Sequence, residues 1–241
     1  MLKIGHRGAA GYEPENTIRS FKRALELGAD SVEFDVRMTK DGQLVVCHDE
    51  TLDRLAGVAG LLRDKTLAEV KQLNFGKGER IPTVREALEF LKGRARIVME
   101  LKERNYTPQL LHLFHDFAPW REEELIVIAF DRNDSDEGAK SSWKDLSLLK
   151  TMFPDLEIGL LLTPRKWFFG HTAESICRAA SEMRARFIGP HYKMVTPGWI
   201  NLVHQYGLKM ITWAVNEPKD IQRLKDRGID GIASDFPDRL N

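Results

Sequence analysis

Cysteine is scarce in this 241-residue chain: only Cys47 and Cys177 occur, far apart and in no zinc-binding spacing. That argues against a disulfide framework and a cysteine zinc site. Cys47, inside an apolar stretch, reads as a small buried thiol and not a nucleophile. No apolar run approaches the roughly 20 residues of a membrane span, so no stable membrane insertion is expected. Neither sign of charge is in excess, 36 lysines and arginines standing against 36 acids. A global electrostatic case for nucleic acid or an anionic membrane as partner is therefore missing. There is no internal repeat and no low-complexity segment. Gly5, Gly8 and Gly11 form no dinucleotide fingerprint, and Gly76-x-Gly78 lacks the strand–helix context of a phosphate loop. Strand-forming residues begin at Leu2 and a candidate catalytic histidine stands at position 6, so no leader peptide and a reducing, cytoplasmic setting are the expectation.

Apolar residues make up 42% of the chain, enough to bury a large core as a single domain over residues 1–241. Short β-branched runs alternate with amphipathic stretches. Strands are predicted near Leu2–His6, Ser31–Arg37, Arg96–Leu101, Glu124–Phe130, Glu157–Leu162, Arg186–Pro190, Lys209–Val215 and Gly231–Ser234. Helices are predicted near Glu15–Leu27, Thr83–Leu91, Pro108–Phe117, Ser142–Lys150, Ala173–Met183, Pro197–Tyr206 and Pro218–Asp226. Gly28, Gly207 and Gly228 are placed to stop helices, and Pro108, Pro197 and Pro218 suit first turns. Alternation of this kind implies a parallel sheet, and eight units imply a (β/α)8 TIM barrel with almost no final helix. One segment, residues 39–81, interrupts the alternation after strand 2. It carries Asp41-Gly42 as a hairpin signal, an extra strand Leu44–Cys47 and a short helix near Leu67–Leu73. It reads as an excursion over the barrel mouth, too short to hold its own core.

Chemistry concentrates where predicted strands end. Glu33 and Asp35 share one face of strand 2, and Glu100 and Lys102 one face of strand 3. In a barrel such residues look into the mouth. Three carboxylates converging there would repel one another unless a cation neutralised them, and oxygen-only ligands favour Mg²⁺ or Ca²⁺ over zinc. His6 and His48 are the candidate proton carriers, one to deprotonate a nucleophile and one to protonate a leaving alkoxide. Arg7 and Lys102 supply positive charge for a phosphate. Trp213 can wall a small polyol, and Asn216 can hydrogen-bond it or, as the favoured role, cap the next helix. His191 is a weak candidate for the mouth. The adjacent aromatics Trp167, Phe168 and Phe169 either pack against neighbouring loops or form an apolar lip. Together these groups are what metal-assisted attack on a phosphate ester needs.

The same residues resemble the glycerophosphodiester phosphodiesterase family over nearly the whole chain. The matching pieces, in order, are His6-Arg7-Gly8, Pro14-Glu15-Asn16-Thr17, Glu33-Phe34-Asp35-Val36, Thr39-Lys40-Asp41-Gly42, His48-Asp49 through Asp53-Arg54, Glu100-Leu101-Lys102, Thr212-Trp213-Ala214-Val215-Asn216 and Gly231 through Asp235-Phe236-Pro237. The resemblance implies hydrolysis of glycerophosphodiesters, the deacylated phospholipids, to sn-glycerol 3-phosphate and an alcohol. By that likeness Glu33, Asp35 and Glu100 hold one divalent cation, His6 and His48 act as acid and base, Arg7 and Lys102 contact phosphate, and Glu15 and Asn16 support the site. Asp235 matches a family position without an assigned role. Three departures bear on pocket shape and alcohol preference: Leu55-Ala56-Gly57 where threonines are usual, Ala129 in place of a serine, and Ala214 in place of a threonine.

Two rival readings use the same site. A lysophospholipase D would release head groups from lysophospholipids, with the aromatic lip holding the acyl chain. A non-catalytic phosphate-ligand binding barrel would be expected to lack a proton carrier or a metal ligand, and this chain retains the set.

Overall fold

The computed structural model describes residues 1–103, 106–117, 124–130, 143–163 and 172–241. Eight parallel strands form a closed ring: β1 (Leu2–Gly5), β2 (Ser31–Met38), β4 (Arg96–Leu101), β5 (Leu125–Phe130), β6 (Glu157–Leu162), β7 (Phe187–Pro190), β8 (Lys209–Thr212) and β9 (Gly231–Ser234). Closure falls on β1, which pairs with β9 on one side and with β2 on the other. Helices lie between the strands. They are α1 (Ile18–Glu26), α4 (Val84–Leu91), α5 (Thr107–Phe117), α6 (Trp143–Met152), α7 (Ala173–Glu182), α8 (Pro197–Gln205) and α9 (Pro218–Asp226). This is the expected (β/α)8 TIM barrel, with only a 3₁₀ turn, Pro237–Leu240, after β9.

Two-residue alternation sorts the side chains into two layers. Val32, Phe34 and Val36 on β2, like Ile97, Met99 and Leu101 on β4, join Phe21, Val84 and Leu88 in a core between sheet and helices. The opposite face fills the barrel interior with Ile4, Val98, Ile128, Leu161, Phe187 and Ile211. Each such buried side chain contributes about 1.5–3 kcal/mol relative to exposure. Phe187 explains a glycine: a Cβ at Gly159 would lie 2.4 Å from its ring, so the interior closes only because that position is bare.

Helix starts follow threonine. Thr17, Thr83, Thr172 and Thr196 each accept a backbone N–H in the first turn of the helix they precede, and Thr83 completes a capping box with Glu86. Because Thr17 is the cap, α1 begins at Ile18, later than the expected Glu15. Glu15 and Asn16 are left outside the helix, free to face the barrel mouth.

Residues 39–81 leave the barrel through a hairpin. β3 (Leu44–Val46) runs antiparallel to the upper part of β2, with Arg37 opposite Val45, and Gly42 takes the left-handed turn at φ 76°. Two one-turn helices follow, α2 (Asp53–Ala56) and α3 (Leu67–Val70). The expectation that this segment is too short for a core does not hold. Val45, Cys47, Leu52, Leu62, Val70, Phe75 and Ile81 are buried together in a small cluster of their own. Short elements suffice because the β3 segment, Leu52 before α2, Leu62 of a 3₁₀ turn, Val70 of α3 and the irregular stretch bearing Phe75 and Ile81 each supply one or two apolar residues to it.

Candidate active site

The two-layer pattern changes at the C-terminal ends of the strands. On β2 the inward positions are Glu33 and Asp35, and on β4 apolar Val98 gives way to Glu100, which lies in register beside Asp35. One carboxylate oxygen from each of Glu33, Asp35 and Glu100 lies within 4.8 Å of the others, and all three residues are buried. Lys102 Nζ stands between two of them, 2.8 Å from Asp35 Oδ1 and 2.5 Å from Glu100 Oε1.

β1 delivers His6 and Arg7 to the same place through a tight turn. Arg7 has φ 50° and Gly8 φ 83°, and a Cβ on Gly8 would sit 2.4 Å from Ser20 Oγ. A left-handed arginine carries strain that the surrounding contacts must hold. They do so at three points: the Arg7 backbone N–H donates to Glu33 Oε2 at 2.9 Å, Nη1 donates to Glu15 Oε1 at 2.9 Å, and Nε lies 3.2 Å from Asp35 Oδ2. Asn16, also left-handed at φ 59°, donates from Nδ2 to Asp35 Oδ2 at 2.8 Å.

These contacts divide the acids by charge state. Burial works against ionisation of Asp35, yet Lys102 and Arg7 outweigh it and hold its carboxyl well below the usual range. Glu33 is pushed up to about 8 by burial, reinforced by the charges of Asp35 and Glu100. Its Oε1 is buried and has no hydrogen-bond partner among the described residues. A three-carboxylate pocket with one acid short of positive charge and one unpartnered oxygen fits a hard divalent cation. Glu33, Asp35 and Glu100 could hold it.

Each histidine is oriented by a carboxylate. His6 Nδ1 lies 2.7 Å from Asp235 Oδ1. Asp235 is held in turn by Asn216, whose Nδ2 donates to Oδ2 at 2.5 Å while its Oδ1 accepts from the Asp235 N–H at 2.9 Å. Burial opposes protonation of His6, but the bond to Asp235 and the charge of Glu33 prevail and raise its pKa. His48 Nδ1 lies 2.6 Å from Asp49 Oδ1. Burial and the charge of Lys102 push His48 down to about 4, so its ring is neutral near pH 7. Because a carboxylate only accepts, the Nδ1 hydrogen of that neutral ring points at Asp49 and Nε2 keeps a free lone pair.

The mouth cavity is lined on one side by His6, Arg7, Glu33, His48, Glu100 and Lys102, whereas Asp35 lies buried behind them, against Lys102 and Arg7. Its other wall is apolar, from Phe130, Leu161 and Trp213. Trp213 offers its ring and not its N–H, since Nε1 donates to Gly189 O at 2.8 Å. Two expectations change. Asn216 does not cap the following helix: Glu217 occupies the cap position without a side-chain bond, and Asn216 is spent on Asp235 and Ser234. His191 packs edge-on against Trp213 and is not among the cavity-lining residues. Trp167, Phe168 and Phe169 lie outside the described residues. Sequence reasoning missed the tasks of Asp235 and Asp49. The available signal was an acid immediately after a histidine and another immediately after the last strand residue, Ser234.

Residues 6–239 match the profile of the glycerophosphoryl diester phosphodiesterase family. A glycerophosphodiester phosphodiesterase of Caldanaerobacter subterraneus subsp. tengcongensis is 37% identical, the alignment covering 99% of this chain and 96% of that protein. One from Bacillus subtilis is 30% identical over 99% of this chain and 84% of its own length. In three dimensions the crystal structure of a glycerophosphodiester phosphodiesterase from Agrobacterium tumefaciens superposes with a TM-score of 0.79 at 27% identity, covering 100% of this chain and 99% of that one.

Proposed function

The chain belongs to the glycerophosphoryl diester phosphodiesterase family and is an enzyme of that activity, and from this we propose a division of labour among its own residues. The substrates are small glycerophosphodiesters, cleaved to sn-glycerol 3-phosphate and an alcohol in a cytoplasmic, lipid- and glycerol-processing setting. The whole chain, residues 1–241, works as one domain with residues 39–81 as its insertion.

Glu33, Asp35 and Glu100 hold one divalent cation, Mg²⁺ or Ca²⁺. When bound, it supplies Lewis-acid stabilisation of charge on the phosphate. Arg7 and Lys102 bind the phosphate oxygens, the first as a fork and the second as a point charge. His48, neutral and with Nε2 open, takes the proton of the nucleophile, which is either water or the glycerol 2-hydroxyl; in the second case water then opens the cyclic phosphate to sn-glycerol 3-phosphate. His6, its Nδ1 fixed on Asp235 and its pKa raised, gives a proton from Nε2 to the leaving alkoxide. Trp213 closes the apolar side against the carbon skeleton.

One observation carries this reading: three buried carboxylates within 4.8 Å of one another, one with an unpartnered oxygen, in a cavity shared with two carboxylate-oriented imidazoles. Turnover of glycerophosphocholine is expected to vanish in EDTA and return with added Mg²⁺ or Ca²⁺. His6→Ala and His48→Ala should each lose on the order of a hundredfold in kcat. Full activity in EDTA would overturn the cation assignment, and a fully active histidine variant would overturn the proton assignment.

A further inference from the structure

Across the rim of the mouth five side chains form an unbroken line of hydrogen bonds. Arg7 donates to Glu15 Oε1 at 2.9 Å, and Glu15 accepts both terminal nitrogens of Arg54 at 2.8 Å each. Arg54 Nε donates to Asp49 Oδ2 at 2.6 Å, and Asp49 Oδ1 faces His48 Nδ1 at 2.6 Å. The ends of the line are the phosphate-binding arginine and the proton acceptor. Its middle sits on α2 in the insertion, a segment that β3 also joins to the barrel.

We propose that Arg54 is a positioning residue that fixes His48 and Arg7 relative to each other by clamping Asp49 and Glu15 with one guanidinium group. This assignment rests on the functional reading above. An exposed ion pair normally contributes little, and the Arg54 side chain is 51% exposed. What sets this one apart is that neither carboxylate belongs to Arg54 alone. Asp49 divides its two oxygens between Arg54 and His48, and Glu15 gives Oε2 to Arg54 while its Oε1 accepts from Arg54 and Arg7 together. Moving Arg54 therefore moves both. The His48 main chain is already tied down, because buried Arg37 donates from Nε to His48 O at 2.7 Å. The direction of the ring is what remains to be set, and Asp49 sets it. The planar fork holds the two carboxylates in fixed directions, Nε toward Asp49 and the two terminal nitrogens toward Glu15, which the point charge of an ammonium group does not do.

The test is steady-state hydrolysis of glycerophosphocholine with Mg²⁺, with melting temperature measured on every variant. Arg54→Gln is expected to lower kcat about tenfold and to raise KM, while melting changes little, since misplaced groups of this kind act on rate far more than on stability. Arg54→Lys should fall between it and the wild type. Asp49→Asn should act chiefly on kcat and Glu15→Gln chiefly on KM. Adding either to Arg54→Gln should bring little further loss, because the three act as one unit. Should Arg54→Gln fail to fold, Arg54→Lys, which keeps the charge, carries the same comparison. An active wild type with an Arg54→Gln variant unchanged in both constants, or with losses that simply multiply, overturns the assignment of Arg54. An inactive wild type overturns the functional reading and this assignment with it.

Discussion

Glu33 and Asp35 stand two residues apart on one face of one strand, yet their carboxyls titrate in opposite directions. The difference lies in what each meets: Asp35 touches Lys102, Arg7 and Asn16, whereas Glu33 keeps an oxygen with no partner among the described residues. A raised pKa in the folded state means that the folded chain holds a proton the unfolded chain has lost, so stability falls as pH rises through that interval. Glu33, raised to about 8, and His6, raised above 6.5, both act this way between pH 6.5 and 8. His48, lowered to about 4, pulls in the opposite sense, but only below 6.5, and Asp35 acts only below the ordinary carboxylate range. Cation-free protein is therefore expected to melt at a lower temperature at pH 8 than at pH 6.5. Added Mg²⁺ should raise the melting temperature more at pH 8, where it no longer has to displace a proton. Scanning calorimetry at the two pH values decides it, and an equal gain at both would refute the account of Glu33. The ionisable residues were legible in the sequence because charges inside apolar strands have few structural uses. The partner of His6 was not, since Asp235 lies 229 positions away and only the closed ring brings the two together.

Secondary-structure elements were read well wherever periodicity and punctuation agreed. β4, β6, β9 and α9 occupy the predicted ranges, each bounded by a charged residue, a glycine or a proline. The readings slipped where side-chain hydrogen bonds, invisible to periodicity, set the limits. The strand expected to reach Val215 ends at Thr212, whose hydroxyl donates to Pro190 O at 2.7 Å. The insertion's core went unseen because no single stretch of it is strongly apolar and its cluster is assembled from six separate short pieces of chain. Strand packing makes one sharp demand. Gly159 and Phe187 are cross-strand partners inside the barrel, and a methyl group at 159 has nowhere to go while the ring is enclosed. Gly159→Ala is expected to destabilise the fold by about 1–3 kcal/mol. Urea unfolding measures this, and an unchanged midpoint would mean that the Phe187 ring can swing aside.

At the scale of the whole molecule, the barrel is graded along its axis: apolar at mid-height, ionisable at the mouth, with residues 39–81 laid over one edge of that opening. The barrel and its inserted segment were predictable because both follow from the order of elements along the chain. Pairing of β1 with β9 is the step on which the ring depends. A chain cut after Gly228 loses β9 and Asp235 together, exposing the unpaired edge of β1, and is expected to aggregate and to show no turnover. Gel filtration with activity assay checks this, and a monomeric, active truncated chain would contradict it.

The bond from His6 to Asp235 ties the proposed chemistry to completion of the ring. The two side chains stand beside each other only where β1 pairs with β9. A folding intermediate whose ring is still open therefore holds an unaimed imidazole, and under the proposed division of labour hydrolytic competence and closure of the barrel coincide.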